Sequence, residues 1–351
     1  MGELPAVAVT IFILPADVDD VTVASGGNTY GRRMCELLGL EKVTVPGRWP
    51  TPSTKARVAL SQTMGEIPDG SVVLIDGLVA CGVPEVVVPH ARRLRLVVVL
   101  HLQLADETGL PPERAAGLDR REREVLRAAT AVITTSEWST RRVITHHGLD
   151  PRRVRTAPPG TDPAPLAAGT ESGNRLLCLA AVTQRKGHDL LVEALANLAD
   201  LPWTCVCAGS LRADPAYARR IQALVDKHGL THKMIFAGVL WGDDLEQAFS
   251  QTDLLVLPSR RETFGMVVTE AIVRGIPVLT TNVDALPFTL GRDTNRTPGV
   301  LVPSDDVPAL TDALRRWLTD AALRDRLREA ARARDVEDWP TAAKRLAGVL
   351  R

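Results

Sequence analysis

The feature that most constrains this chain is a rhythm. Short β-branched apolar runs alternate with helical patterns, stop at a proline-rich stretch, and then start again. Alternation of this kind marks parallel α/β units, in which each strand is followed by a helix that covers a sheet face. In the first half, strands are predicted at Val7–Leu14, Val72–Ile75, Leu94–Leu100 and Ala131–Thr134. Helical stretches such as Gly31–Leu38 and Asp119–Ala129 lie between them, the latter placing Leu118, Val125, Leu126 and Ala129 on one face. Ala157-Pro158-Pro159-Gly160-Thr161-Asp162-Pro163-Ala164-Pro165 suits neither helix nor central strand, because proline has no N–H to give, and it reads as a linker. Strands then resume at Arg175–Ala181, Trp203–Ala208, Met234–Phe236, Leu254–Leu257 and Pro277–Thr280. Helices are expected at His188–Leu198, Pro215–His228, Leu245–Gln251 and Met266–Arg274. Amphipathic helices fill Pro308–Arg334, and Asp338-Trp339-Pro340 interrupts the pattern before a last helix over Thr341–Leu350.

A length of 351 residues holds two cores. The expected division is a Rossmann-like domain over 1–165, a second over 166–335, and a final helix in 336–351 that packs back on the first domain. Two such halves in succession imply a central cleft between two strand-end faces, where ligands of open α/β sheets bind.

Composition narrows the function classes. Lys+Arg and Asp+Glu both number 42, so the chain has no net field to hold nucleic acid or an anionic membrane, and any anion must be met by a local site. The five cysteines (Cys35, Cys81, Cys178, Cys205, Cys207) are scattered without zinc-ligand spacing and read as buried, reduced thiols. Met1-Gly2-Glu3-Leu4-Pro5 lacks the basic head and cleavage site of a signal peptide, and no apolar run reaches the ~20 residues of a membrane span. A soluble cytoplasmic protein is the expectation, without stable membrane insertion.

One segment carries the most chemistry. Pro258-Ser259-Arg260-Arg261-Glu262-Thr263-Phe264-Gly265-Met266-Val267-Val268-Thr269-Glu270-Ala271 follows a buried strand and runs into a helix. Glu262 falls in the turn and Glu270 one turn into the helix, so both can face one pocket at the strand's carboxyl end. The helix start offers unpaired N–H groups suited to phosphate or sugar oxygens, and a carboxylate beside it can accept from vicinal hydroxyls. A second segment, Ala181-Val182-Thr183-Gln184-Arg185-Lys186-Gly187-His188, places Arg185 and Lys186 at a strand-to-helix turn where a pyrophosphate could sit. In the first half, Ser25-Gly26-Gly27-Asn28 precedes a helix, and two glycines permit close approach of an anion. It is neither a G-x-G-x-x-G fingerprint nor a Walker loop. His101 stands at the carboxyl end of the strand Leu94–Leu100, with Asp106 and Glu107 nearby.

Taken together, the segment from Pro258 to Ala271, followed by Gly275-Ile276-Pro277-Val278, resembles the donor-site signature of the retaining glycosyltransferase family 4, whose fold is GT-B. The resemblance implies that Glu262 contacts donor-sugar hydroxyls, that Glu270 holds the nucleotide ribose, and that amides of the Phe264, Gly265, Met266 turn bind sugar or phosphate. It further implies that Lys186 neutralises the donor diphosphate, that the Gly26-Gly27 loop closes on the phosphates, and that His101 lies by the scissile bond. Catalytic roles thus fall to His101, Glu262 and Lys186. Donor binding falls to Gly26, Gly27, Arg185, Lys186, Glu262, Phe264, Gly265, Met266 and Glu270.

Two departures stand out: Ala181 occupies the position of the family's usual Arg, for which Arg185 is a candidate substitute, and Val283–Phe288 lacks the usual paired glycines. Asp17-Val18-Asp19 imitates a metal-binding Asp-x-Asp but lies outside the donor motif, so no metal and no cofactor are expected. Thr135-Ser136-Glu137-Trp138 with Arg141-Arg142 resembles another family segment and reads as architecture near the acceptor side.

The function implied is transfer of a hexose-type sugar, with retention, from a UDP- or GDP-linked donor to a hydroxyl of a small soluble acceptor. A nucleotide-sugar 2-epimerase of the same fold and a non-catalytic nucleotide-sugar-binding protein stay open as alternatives.

Overall fold

The structure is a computed structural model that describes residues 10–23, 25–291 and 296–350. Among the described residues, twelve strands form two separate all-parallel sheets. Strands β1 (Thr10–Pro15), β2 (Glu41–Val45), β3 (Val72–Asp76), β4 (Arg95–Leu100), β5 (Ala131–Thr134) and β6 (Val154–Thr156) stack in the order β2-β1-β3-β4-β5-β6. Strands β7 (Arg175–Leu179), β8 (Thr204–Ala208), β9 (Met234–Gly238), β10 (Leu254–Leu257), β11 (Val278–Thr281) and β12 (Gly299–Val302) stack as β12-β11-β10-β7-β8-β9. Renumbered within its own half, the second order is the 3-2-1-4-5-6 of the dinucleotide-binding Rossmann sheet. The chain divides into two compact units. One holds β1, Ser25–Pro159 and the chain from Trp339 onward, and the other holds Gly160–Asp338.

The central strands of each sheet are buried on both faces, which is why they read as continuous apolar runs rather than alternating ones. In the second sheet, Leu176, Cys178, Cys205, Cys207, Leu254 and Val256 point into one core beneath the helices His188–Ala196 and Val307–Thr319. Leu177, Ala208, Leu255 and Leu257 point into the other, with Val268 and Ile272. All five cysteines are free and buried.

The expected strands are present, and Val7–Val9 of the first lie outside the described residues. Strands β2, β6 and β12 were not anticipated. Each is a sheet edge, and β2 is largely exposed, so burial imposed no apolar run on it. The first helix spans Gly26–Leu38, five residues earlier than its apolar stripe suggests, so Gly26 and Gly27 are its first turn rather than a loop before it. The last helix begins at Trp339, with Pro340 in the first turn, where a missing N–H costs no hydrogen bond. Trp339 is buried, packs 6.3 Å from the Tyr30 ring and lies under the Arg33 guanidinium at 5.6 Å. Arg95 donates to the carbonyls of Leu350 and Val349 at 2.8 and 3.1 Å, closing the helix's carboxyl end. The Pro-rich segment forms no regular element beyond an isolated bridge of Thr161 with Asp338.

Candidate functional site

In the second sheet the strand order reverses between β7 and β10, and a crevice at such a switch point is where open α/β sheets hold ligands. The two motif segments follow these two strands. After β7, a short 3-10 turn over Gln184–Lys186 leads through Gly187 into the helix His188–Ala196. Gly187 has φ +71°, and a Cβ there would lie 2.1 Å from the Pro258 carbonyl oxygen. The two loops therefore touch backbone to backbone, which only glycine permits.

Hydrogen bonds fix this contact. The Arg260 amide donates to the Arg185 carbonyl at 2.7 Å, and its guanidinium reaches the Gln184 carbonyl at 2.7 Å. The same guanidinium forks onto both Asp189 oxygens at 2.9 Å each, and the Tyr217 hydroxyl donates to Asp189 at 2.6 Å. Burial opposes the Asp189 charge, but Arg260 and Tyr217 outweigh it and hold the carboxyl below its ordinary pKa.

Within this frame Lys186 and Glu262 are bonded to each other, Nζ donating to Oε2. Only 16% of the lysine side chain and 10% of the glutamate side chain reach solvent. Burial lowers the Lys186 pKa against the pull of Glu262. Burial also works against the Glu262 charge, but Lys186, Arg185 and the Thr263 amide prevail, and the carboxyl sits below its usual range. The glutamate backbone is clamped as well. Asp284, itself at φ +48°, accepts from the Glu262 amide at 3.0 Å and from Arg261 Nε at 2.8 Å, while the Glu262 carbonyl accepts from the Ala285 amide at 3.1 Å. Arg185 donates to the Arg261 carbonyl at 3.3 Å.

Gly265, at φ +84°, turns the chain into the helix Met266–Val273, which no side chain caps; the Val268 amide donates to the Gly265 carbonyl at 2.9 Å, and the amides of Met266 and Val267 stand at the helix start, where an anion is favoured. The Thr289 hydroxyl holds the Phe264 carbonyl at 2.6 Å and fixes that turn. Glu270 lies one turn along. Burial pushes its pKa up to about 7, with Arg274 opposing and Asp162 and Glu246 adding to the rise. The Arg274 guanidinium is committed elsewhere, to Glu246 and to the Glu270 backbone carbonyl at 2.8 Å.

The first unit has its own cluster at the carboxyl ends of β3 and β4. His101 Nε2 lies 3.5 Å from Asp76 Oδ2, and the other Asp76 oxygen accepts from the Leu78 amide at 2.7 Å. Burial raises the Asp76 pKa and lowers that of His101, so each group is pushed toward its neutral form while their mutual attraction opposes this. Gly27 lies against the imidazole, a Cβ there meeting His101 Cδ2 at 3.0 Å, and the Tyr30 ring meets it edge-on at 5.3 Å. Asp106 is held by the Arg142 guanidinium in a two-point pair, and Ser136 caps its helix by accepting from the Ser139 amide at 3.1 Å. Asp19 is paired with Lys42 at 2.6 Å.

Sequence reasoning thus named Lys186, Glu262, Glu270 and His101 but missed the residues that hold them. Asp76 ends a strand just as His101 follows one, and the same rule would have found it. Asp189, Arg260 and Asp284 act through contacts across 71 and 22 residues, and no local pattern announces those.

Comparison with known proteins decides the family. The model described as "Glycosyl transferases group 1" matches residues 168–334, and that described as "Glycosyl transferase 4-like domain" matches residues 13–160. The chain belongs to the GT-B glycosyltransferases. A D-inositol 3-phosphate glycosyltransferase of Xylanimonas cellulosilytica is 29% identical over 60% of this chain and 54% of its own length. The chain thus spans about half the length of the first of the curated relatives it matches. A 2-deoxystreptamine glucosyltransferase of Streptomyces kanamyceticus is 27% identical over 80% of this chain and 72% of its own. Among solved structures, the Anabaena protein HepE in complex with UDP-glucose superposes with a TM-score of 0.73 at 17% identity, over 97% of this chain and 98% of that one. Among the described residues, no helix is long and apolar enough to cross a membrane.

Proposed function

We infer that this protein is a retaining glycosyltransferase that moves a hexose-type sugar from a nucleotide diphosphate donor to a hydroxyl of a small soluble acceptor. The observation that carries the reading is the Lys186–Glu262 pair at the β7/β10 switch point, with the uncapped helix Met266–Val273 and the protonatable Glu270 beside it. A diphosphate needs a buried cation and backbone N–H groups. A sugar and a ribose each need an acceptor for paired hydroxyls, and this one loop set supplies all of these. In this reading the donor separates the pair. Lys186 turns to the diphosphate, Glu262 accepts from the sugar hydroxyls, and Glu270 accepts from the ribose. Arg185 adds charge near the phosphates, and the Phe264, Gly265, Met266 turn presents amides to them.

The leaving diphosphate gains negative charge as the glycosidic bond breaks, and Lys186 with the helix N–H groups stabilises that charge. The acceptor hydroxyl then attacks from the face the diphosphate leaves, which gives retention. His101, whose charged form burial disfavours and whose Nε2 lies 3.5 Å from Asp76 Oδ2, is assigned to the reacting sugar, with Gly27 against its ring. A UDP-sugar donor is favoured by the UDP-glucose complex of the HepE structure. A small polyol acceptor is favoured because the two relatives are named for inositol 3-phosphate and 2-deoxystreptamine, both carbocyclic polyols.

The test is a panel of UDP-, GDP- and ADP-sugars against small polyols, with the product's anomeric coupling read by NMR in the presence and absence of EDTA. An α-linked product from an α-linked donor, formed equally with EDTA, is expected. A β-linked product, conversion of the sugar nucleotide without any acceptor, or transfer abolished by EDTA and restored by Mg²⁺ overturns the reading.

A further inference from the structure

Away from the donor residues, the first unit gathers a different set of side chains. The helix Pro112–Ala128 carries Asp119 and Glu122, three apart and hence on one face, and the helix Glu137–His147 ends in His146 and His147. Asp119, His146 and His147 each bring a ligand atom within 4.8 Å of the other two. His146 Nε2 points at Asp119 Oδ1, and Arg123 occupies the other carboxylate oxygen at 3.0 Å.

The decisive residue is His147. It is 1% exposed, and its Nε2 lies 2.8 Å from Glu122 Oε1 and 3.2 Å from the Gln103 side-chain amide; the closer neighbour, a carboxylate acceptor, favours the imidazole proton on that nitrogen. Glu122 is fully buried and also accepts from the Leu104 amide at 2.8 Å, so its position is set. Nδ1 is thereby left with its lone pair free, buried and without a hydrogen-bond partner. A buried, unsatisfied acceptor is costly unless something binds it. A carboxylate behind one ring nitrogen with the other nitrogen open is the arrangement that orients metal-binding histidines.

We propose that Asp119, His146 and His147 bind a divalent transition-metal ion of the zinc type, with Glu122 as the positioning residue behind His147. Two imidazoles and one carboxylate suit zinc, and three protein ligands leave a fourth position open to water. The ion takes the place of the direct contact between His146 Nε2 and Asp119 Oδ1. Those two atoms part to the roughly 3.3 Å that separates neighbours around bonds of about 2.0 Å, a movement that the half-exposed His146 can make. The site is independent of the transfer reaction, since it uses none of the residues assigned to the donor.

The experiment titrates the whole protein with Zn²⁺ against a chromophoric chelator and follows Tm in the same samples. The variants are His146→Ala and Asp119→Asn, which lie on the accessible side of the cluster, and His228→Ala as a control at a separate histidine–carboxylate pair. One Zn²⁺ per chain is expected, with a rise in Tm. Each of the two site variants should bind roughly tenfold or more weakly, the scale for disturbing a metal site, while His228→Ala should bind as the parent does. His147→Gln should abolish binding, but it alters a buried residue, so the two accessible variants decide. Absence of binding at micromolar Zn²⁺, or equal affinity in the parent and both site variants, overturns the proposal.

Discussion

Breaking the Lys186–Glu262 pair from either side should cost stability, and removing both partners together should cost much less than the sum. Deleting one member of a fully buried ion pair costs about 3–5 kcal/mol because the other charge is left without a partner. Here 16% and 10% of the side chains reach solvent, so about 2–4 kcal/mol is the expectation for each of Lys186→Met and Glu262→Gln. For a unit of this size that corresponds to a fall in Tm of roughly 2–4 °C per kcal/mol. The losses differ in origin. In Lys186→Met the carboxylate keeps Arg185 and the Thr263 amide but loses its main counter-charge, so its pKa rises. Its penalty is then present above that pKa and is relieved on acidification, once the group is neutral. In Glu262→Gln the lysine keeps a carbonyl acceptor but faces burial and Arg185 alone.

The double variant has neither charge, and a coupling energy of about 1–3 kcal/mol should remain when its loss is compared with the sum of the singles. Urea denaturation at pH 5 and pH 8, followed by tryptophan fluorescence, measures the cycle, with Trp203 and Trp317 buried in the second unit as reporters. Additive losses, or single losses below about 0.5 kcal/mol, would show that the pair is a loose surface contact and would refute the reasoning.

Nucleotide binding should tighten with pH through the titration of Glu270. With its pKa pushed up to about 7, the carboxylate proposed to accept from the ribose is scarce at pH 6 and dominant at pH 8, so affinity for UDP should rise about tenfold across that range and the rise should vanish in Glu270→Gln. The same shift makes the folded state hold a proton that the unfolded chain releases above about pH 4.5, so stability should fall between pH 4.5 and 7, and calorimetry showing it rise there through Glu270 would contradict the assignment. Gly187→Ala should cost about 2–5 kcal/mol, combining the left-handed backbone with the clash against the Pro258 carbonyl. Gly229→Ala, at φ +67° with no atom within 4 Å of the new Cβ, should cost only the backbone part, about 1–2 kcal/mol, and equal losses in urea would mean the two loops are not in contact.

The fold was legible where burial dictates sequence. Strands β4, β5, β7, β8, β10 and β11 are covered on both faces, so their apolar runs could be read directly, within a residue or two at each end. Where one side faces solvent the signal fades. Glu41–Val45 carries Glu41, Lys42 and Thr44 because it needs only one ladder and little cover. The start of the first helix was hidden for another reason. Its apolar stripe begins at Tyr30 and Gly31, whereas Gly26 and Gly27 have poor helix propensity, and Gly27 needs to lack a side chain because it lies against His101.

The site was legible in its chemistry and not in its connections. Lys186 and Glu262 stand 76 residues apart, each in a recognisable segment, yet nothing in either segment says that they are bonded in the absence of a ligand. That bond follows from the sheet order. β7 and β10 are neighbours, so the loops after them are adjacent, and the backbone contact at Gly187 sets the separation of their side chains. Without Glu262, Lys186 would sit buried beside Arg185, and its pKa would be lowered further, since Glu262 is the main influence raising it. Glu262 answers that problem, and Asp284 and Arg260 keep it in place by gripping backbone and loop rather than the paired charges. Sequence motifs record the groups that meet the substrate, whereas the residues that restrain them are free to come from any loop the topology brings near. Asp284, in one of the two segments that depart from the family's pattern, is the example: it lacks the usual glycines around it, and it carries the clamp on Glu262 through a left-handed backbone that aspartate tolerates better than most residues.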